Sequence, residues 1–559
     1  MIIMNLSRRS FLAGAGLVAA GSMASLSGCV PQASTSSDAS KGTTLASTSS
    51  ENRWSWSIAP EPPAENEVSE EVDCEVLVVG LGSGGVPATV YAAAMGADVV
   101  AVTAGDAPEG EGAYIGAYNT KYDEQYGIKY DPAELRAEYS YWGFGSNNGD
   151  VTGTIWDRSG NAVDWFAEYC NDVWPYECGP DSAINEGIHI RETATHMVYV
   201  FPDPEEEQEQ ERVYNGFPKF LKAACDKAEK DGARIYYSTP ARQLIREEGG
   251  RVKGAYAQKE DGSYLKINAS LGVLLATGDF HQNDEMLEAW LPLMRGDLIT
   301  RNPYGNAQGD GQKMAWWIGA GQDTGPFNIG LCWPHDFTFA KNSPSRWGSL
   351  PWLRVNIAGE RYTNETIGSH EWYSTSPMCM IDVKQPGHTA YQICDSKFGQ
   401  MLENNESEIE IFKDCVERGV IWSADTIEEL AEKVGFTNPD RLVETVKRYN
   451  EVCAGGSDVD FGVPAEYLAY SSVTEPPFYC MHREVLKQWT DGGVNTNRYG
   501  QVLDTEHEPI EGLYAAGNIR SGLAGTHYLW KSFGSNKLNA TAGSMLCVKH
   551  MLGTWDEEF

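Results

Sequence analysis

Residues 80–85 read Gly-Leu-Gly-Ser-Gly-Gly, and what flanks them constrains the fold more than any other feature of the chain. Ahead lies Cys74-Glu75-Val76-Leu77-Val78-Val79, a short apolar run of the kind buried on both faces in a parallel sheet. Behind it, residues 87–95 are Ala-rich and helical in pattern, Gly96 ends that helix, and 98–103 return as a second strand. A GxGxxG in full strand–turn–helix–strand context predicts a βαβ unit whose turn admits a pyrophosphate. Gly80, Gly82, Ser83, Gly84 and Gly85 let the backbone approach that ligand, and the helix N-terminus adds unpaired N–H groups and partial positive charge. The second strand of such a unit usually ends in an acid that holds ribose hydroxyls. Here Thr103, a weaker acceptor, stands there, with Asp106 three residues on to take the role.

A chain of 559 residues predicts several domains around this unit. Its 79 acidic against 43 basic residues, a net charge of −36, argue against a nucleic-acid partner and against adsorption to anionic lipid. An acidic surface favours solubility and would steer a basic partner. The 12 Cys include no CxxC and no CxxCH, so c-type haem and zinc-ribbon spacings are absent, and the scatter reads as buried thiols.

The N-terminus reads as an address. Ser7-Arg8-Arg9-Ser10-Phe11-Leu12 is a twin-arginine export motif, an apolar Ala/Gly-rich stretch covers 13–24, and Leu26-Ser27-Gly28-Cys29 forms a lipoprotein cleavage box. The stretch is too short and too Gly-rich for a membrane span. This route exports folded proteins, which suits a tightly held cofactor loaded before export. Residues 1–28 are therefore expected to be a signal, Cys29 the lipid anchor, and 29–72 a disordered tether, Ser/Thr-rich at 34–50 and Pro/Glu-rich at 60–71. The expected location is the outer face of the cytoplasmic membrane, or the periplasm.

Three further glycine motifs follow in order. Gly272-Val273-Leu274-Leu275-Ala276-Thr277-Gly278-Asp279-Phe280 is a buried strand ending in a turn, Gly309-Asp310-Gly311 lies within 306–320, and Gly512-Leu513-Tyr514-Ala515-Ala516-Gly517-Asn518 is a second strand ending in glycine. These resemble the ATGGF, TGDG and GLYAAGE segments of the fumarate-reductase-like flavoproteins, a family that includes soluble fumarate reductases, urocanate reductase and 3-ketosteroid dehydrogenases. The resemblance runs from about residue 73 to the C-terminus. It implies FAD, and an α/β fold in which a Rossmann-like FAD-binding domain is interrupted by an α+β capping domain. The expected boundaries are 73–326 and 489–559 for the flavin domain and 327–488 for the cap. It also implies cofactor contacts at Ala276, Thr277, Gly278, Asp310, Gly517 and Asn518. Gly534, Ser535 and Asn536 would open a last helix, through 540–550, whose N-terminal dipole faces the flavin pyrimidine ring.

Val355-Asn356-Ile357-Ala358-Gly359-Glu360-Arg361-Tyr362-Thr363-Asn364-Glu365 matches the family's VNxxGxRFxNE hairpin, in which Arg361 and Glu365 are expected to form a supporting ion pair. Elsewhere 217–231 reads as an amphipathic helix, 233–257 as two strands about a Glu-Glu-Gly-Gly turn, and the acidic run 205–212 as a solvated loop.

The family chemistry implied is hydride transfer from reduced flavin N5 to the β carbon of an activated alkene, with a protein acid protonating the α carbon. Here the chain departs from the family's pattern. The Arg acid position holds Ser369, with His370 beside it; the carboxylate-binding His position holds Trp489; and the clamping Arg near the last glycine motif has no Arg equivalent, so Tyr528, Lys531 and Ser532 compete for it. One family His persists as His335. A dicarboxylate needs two cationic clamps, because a buried unpaired carboxylate costs several kcal/mol. Fumarate is therefore not the expected substrate, and Trp489, Tyr528 and Trp530 suit a larger, flatter, less charged molecule. Tyr528 falls where 3-ketosteroid dehydrogenases carry a ketone-polarising Tyr; it either serves there or packs beside the flavin. His370 is a proton donor or an ordinary satisfied polar residue.

The candidate catalytic residues are thus Tyr528, His370, His335 and Lys531. The expected activity is extracytoplasmic, FAD-dependent reduction of a bulky or aromatic α,β-unsaturated carbonyl compound, with a separate cytochrome or membrane quinol-linked donor in anaerobic respiration. Two alternatives stand beside it: the same flavin run as a dehydrogenase, as with ketosteroids, or a binding lipoprotein that has lost catalysis.

Overall fold

β1 (Val68–Val79) is fully buried from Val76 onward, where strands pair with both of its edges and packed layers cover both of its faces. The computed structural model describes residues 54–559 apart from 111, 144, 181–195, 208, 297, 302–304, 324, 326, 333–346, 349, 368–374 and 526–533. The export motif, Cys29 and the Ser/Thr-rich tract lie outside the described residues. After β1 come α1 (Gly85–Ala94) and β2 (Val99–Val102), the latter parallel to β1 with Val76 opposite Val99.

Two long helices follow, α2 (Gly149–Cys170) and α3 (Glu209–Lys230). The acidic run 205–212 is therefore not all loop: α3 begins at Glu209, and Arg212 pairs with Glu177 at 2.9 Å. Acids at a helix start complement its dipole, so the same residues serve either reading. β3 (Arg234–Tyr236) extends the sheet beyond β2. β4 (Ala241–Arg246) and β5 (Val252–Gln258) form the expected hairpin, which pairs through β5 with β6 (Tyr264–Leu275). Next come α4 (Asp310–Trp317) and β7 (Asn328–Cys332).

A second, antiparallel sheet is built from β8 (Leu353–Asn356), β9 (Ala390–Cys394), β10 (Trp422–Ala424) and β11 (Phe478–His482), in the order β8-β9-β11-β10. Helices at Ile427–Val434 and Pro439–Gly455 cover it, with Leu430, Leu442 and Val446 packed on Val355 and Ile393. β12 (Leu486–Asp491) runs antiparallel to β7 and returns the chain to the first sheet, which β13 (Gln501–Leu503) and β14 (Pro509–Ala515) complete. Its order is β13-β14-β6-β1-β2-β3. The last helix, α5 (Ser535–Met551), is capped by Gly534.

Strand alternation divides the core. Val76 and Val78 face the layer of α1, α2, α3 and α5, while Leu77 and Val79 face β4, β5 and α4. Among the described residues no helix is long and apolar enough to cross a membrane. No described cysteine is in a disulfide, and Cys74, Cys170, Cys225, Cys379, Cys394, Cys415, Cys480 and Cys547 are buried.

The end of the expected tether is folded. Trp56 is buried, stacks on Trp54 with ring centroids 5.2 Å apart, and accepts a 2.8 Å hydrogen bond at its carbonyl from Nε1 of Trp317 on α4. Three aromatic rings, with Trp290 as the third, hold this segment against the body, and β1 starts at Val68 rather than 73.

The VNIAGERYTNE element forms its Gly turn and its ion pair. Arg361 donates from Nε and Nη2 to the two oxygens of Glu365, at 2.8 and 2.6 Å, and from Nη2 to Asp458 at 2.7 Å. Burial works to raise the Asp458 carboxyl, but Arg361 and the N–H groups of Val463 and Phe461 outweigh it and hold the pKa at about 2. A carboxyl held below its unfolded range stabilises the fold above about pH 4, and that contribution is lost as pH falls toward 2. Urea midpoints should therefore drop between pH 4 and pH 2, and Asp458→Asn should flatten that part of the profile.

Candidate flavin and substrate site

Four strand ends converge on one edge. Gly80 N–H donates to Val102 O at 2.8 Å, Ala276 N–H to Val79 O at 2.8 Å, Ala516 N–H to Leu275 O at 3.0 Å, and Thr103 N–H to Tyr236 O at 3.1 Å. The motifs at 80–85, 276–278 and 516–518, far apart in sequence, thus meet at the carboxyl ends of β1, β6 and β14. That is where open α/β sheets bind ligands.

The glycines are required by contact. Gly80 has φ +96°, and a Cβ there would lie 2.5 Å from Ala276 O. A Cβ on Gly85 would penetrate Gly80 O, and one on Gly311 would penetrate Thr277 Oγ1. A Cβ added at Gly84 or at Gly517 would come into van der Waals contact with Ala540 of α5. Asp310 opens α4 and pairs with Lys313 at 3.0 Å, and Gly492 N–H donates to Asn518 O at 2.8 Å. At the start of α5, Tyr139 OH donates to Ser535 Oγ at 3.2 Å, and Gly534 O accepts from Gly116 N–H at 3.2 Å.

Polar atoms on these elements await a ligand. Thr277 Oγ1, Gln312 Oε1 and Asn539 Oδ1 are buried without a hydrogen-bond partner among the described residues. Gln312 meanwhile spans the two glycine turns, its Nε2 lying 3.2 Å from Gly278 O and 3.4 Å from Gly492 O. Buried polar groups are nearly always paired in a complete structure. A side-chain-free glycine turn, two helix N-termini and three buried acceptors or donors fit a dinucleotide cofactor.

Beside this edge lies a cavity of about 300 Å³. Asn147 and Asn148 before α2, Asp323, Asp491 and the stretch 521–525 line it, and its described lining includes two carboxylates and no Lys or Arg. Trp489 projects from β12 onto Gly330, where any side chain would enter the indole ring. Tyr528, His370, His335 and Lys531 lie outside the described residues.

One arrangement escaped sequence reasoning. Asp279 and His281, both buried, form a dyad: His281 Nδ1 is 2.8 Å from Asp279 Oδ1, and Asp279 Oδ2 accepts from Thr490 N–H at 2.8 Å. The dyad thus fixes the residue next to Trp489. The available signal was the departure from ATGGF, since Asp279 stands where that motif has its second glycine.

The sequence profile of one family, the FAD binding domain family, matches residues 75–530. The chain belongs to this family. It is an FAD-dependent oxidoreductase of the class acting on CH–CH and C=C groups, which removes the reading as a non-catalytic binder. This flavoprotein is 26% identical over 484 residues to a vinyl phenol reductase of Lactiplantibacillus plantarum, covering 81% of the present chain and 91% of the relative. In structure it is similar to a flavocytochrome c3 fumarate reductase, with a TM-score of 0.61 at 24% identity, covering 89% of the flavoprotein and 82% of that chain. It is similar also to a 3-ketosteroid Δ4-(5α)-dehydrogenase of Rhodococcus jostii, with a TM-score of 0.64 at 22% identity, covering 88% and 100%. At those identities the flavoprotein shares the fold. FAD is the group that the glycine edge and its unpartnered buried atoms fit.

Proposed function

We propose that the flavoprotein reduces an activated C=C bond in a bulky or aromatic, uncharged α,β-unsaturated carbonyl compound, and does so outside the cytoplasm. The observation that carries the substrate class is the residue at position 489. Trp489, in the place of a carboxylate-binding His, offers a flat apolar face instead. The vinyl phenol reductase relative, an enzyme named for an aromatic substrate, supports the same choice.

Bound FAD, once reduced, supplies the hydride. The chain's part is to hold the acceptor and manage its proton. Tyr528, three residues after Gly525 in sequence, is assigned to the carbonyl oxygen, and His370, His335 and Lys531 are the remaining candidates for proton delivery. Electrons reach the flavin from a separate cytochrome or a quinol-linked donor. The motif at 7–12 and the lipobox at Cys29 support export and a location on the outer face of the cytoplasmic membrane, or in the periplasm.

The test is anaerobic reoxidation of the chemically reduced protein, followed by flavin absorbance. Esters of aromatic acrylates, a ketosteroid enone and an unsaturated lactone should reoxidise it at least about a hundredfold faster than fumarate, the penalty for an unclamped carboxylate. Fast reoxidation by fumarate would overturn the assignment. Bleaching of the oxidised flavin by a saturated ketosteroid, with every alkene inert, would reverse the direction to dehydrogenation.

A further inference from the structure

The glycine turn supplies backbone N–H groups to a diphosphate but no full positive charge, in a chain whose net charge is −36. The loop after β2 adds Asp106 and Glu109, whose carbonyl lies near Gly82. Two more negative charges at this turn need a counter-charge, since helix termini offer only about half a charge each.

A cation does stand there, brought from the other end of the chain. Lys537, in the first turn of α5, places Nζ 3.1 Å from Ser83 Oγ, within the glycine turn itself. Its position is determined by its neighbours. Thr541, one turn further along α5, donates from Oγ1 to Ser83 O at 3.1 Å, and Ala540 sits against Gly84. The lysine stem passes over Gly112, where a Cβ would lie 3.2 Å from Cε, and the ammonium rests 3.8 Å above the Phe217 ring. The ring face attracts the ammonium through its quadrupole. A phosphate oxygen accepting from Ser83 would be within reach of the same ammonium.

We propose that Lys537 contacts the FAD diphosphate and supplies its counter-charge, so that the last helix clamps the cofactor bound by the first βαβ unit. The contact is a property of cofactor retention and does not depend on which acceptor the enzyme reduces.

The experiment compares the full-length holoenzyme with Lys537→Met and Lys537→Arg. Released FAD is followed by fluorescence during ultrafiltration at rising NaCl. Lys537→Met should weaken FAD retention about tenfold or more and flatten its salt dependence, while Lys537→Arg should stay within about threefold of the parent. The flavin midpoint potential and the melting temperature at saturating FAD should not move. Unchanged retention in Lys537→Met would overturn the proposal. So would equal loss in Lys537→Arg with a lowered melting temperature at saturating FAD, which marks a packing role. A shifted potential with unchanged retention would put the charge at the flavin ring and overturn it as well.

Discussion

Gly85→Ala is expected to purify without FAD, its affinity reduced by at least about a hundredfold. Gly85 is the first residue of α1, and an added methyl would run into the carbonyl oxygen of Gly80. Neither atom can turn aside. Gly80 is fixed by its N–H bond to Val102 and its close approach to Ala276, and Gly85 by its packing on Val78. The helix must therefore move off the strand, which spoils the N–H cradle, because close backbone approach is what the third glycine of this motif permits. The ratio of absorbance at flavin and protein wavelengths in the purified variant reads the effect. Gly96→Ala is the control. Unlike Gly85, Gly96 has a positive φ, +78°, but an added Cβ there meets nothing, so about 1–2 kcal/mol of local strain is the whole cost and FAD should stay bound. Equal flavin loss in both would show that general destabilisation, not contact at the turn, governs FAD retention.

The second large effect is expected far from the flavin. Arg361→Met should lower stability by about 3–5 kcal/mol, because it strands two buried carboxylates. The Glu365 and Asp458 side chains are wholly inaccessible, and the guanidinium between them lies over the rings of Phe461 and Tyr449, at 4.6 and 4.9 Å. Arg361→Lys should recover little, since one ammonium cannot reproduce the bidentate bond to Glu365 together with the bond to Asp458. Adding Glu365→Gln and Asp458→Asn to Arg361→Met should recover part of the loss, as removing a buried charge set entirely costs less than leaving it half paired. Urea denaturation of the three variants measures this. If the single and triple variants lose equally, packing rather than charge explains the site.

What could be read from sequence is what one residue type at one position encodes. Gly80, Gly278 and Gly517 each end a buried strand at positive φ, and the strand–glycine pattern announces them separately. Nothing in such a pattern states that they share an edge; the family resemblance had to supply that. The Asp279–His281 dyad was illegible because its meaning rests on Thr490, 211 residues away from Asp279. Lys537 was passed over for a similar reason, its partner Ser83 lying 454 residues earlier. The tether boundary was misplaced because Trp54 and Trp56 show no periodicity of their own and pack on Trp290 and Trp317, from the middle of the chain. The glycine motifs are local facts, whereas the Lys537–Ser83 contact and the seating of Trp56 on Trp290 and Trp317 are facts of proximity.

The seating of α5 on the glycine turn has a consequence for biosynthesis. Ser83 emerges early from the ribosome, yet Thr541 and Ala540, which brace it, are among the last residues made. A chain terminated before residue 535 would carry every glycine motif and still lack one wall of the cofactor site. Flavin capture then acts as a certificate of complete synthesis. An export pathway that accepts only folded cargo would, by the same contact, turn away truncated molecules.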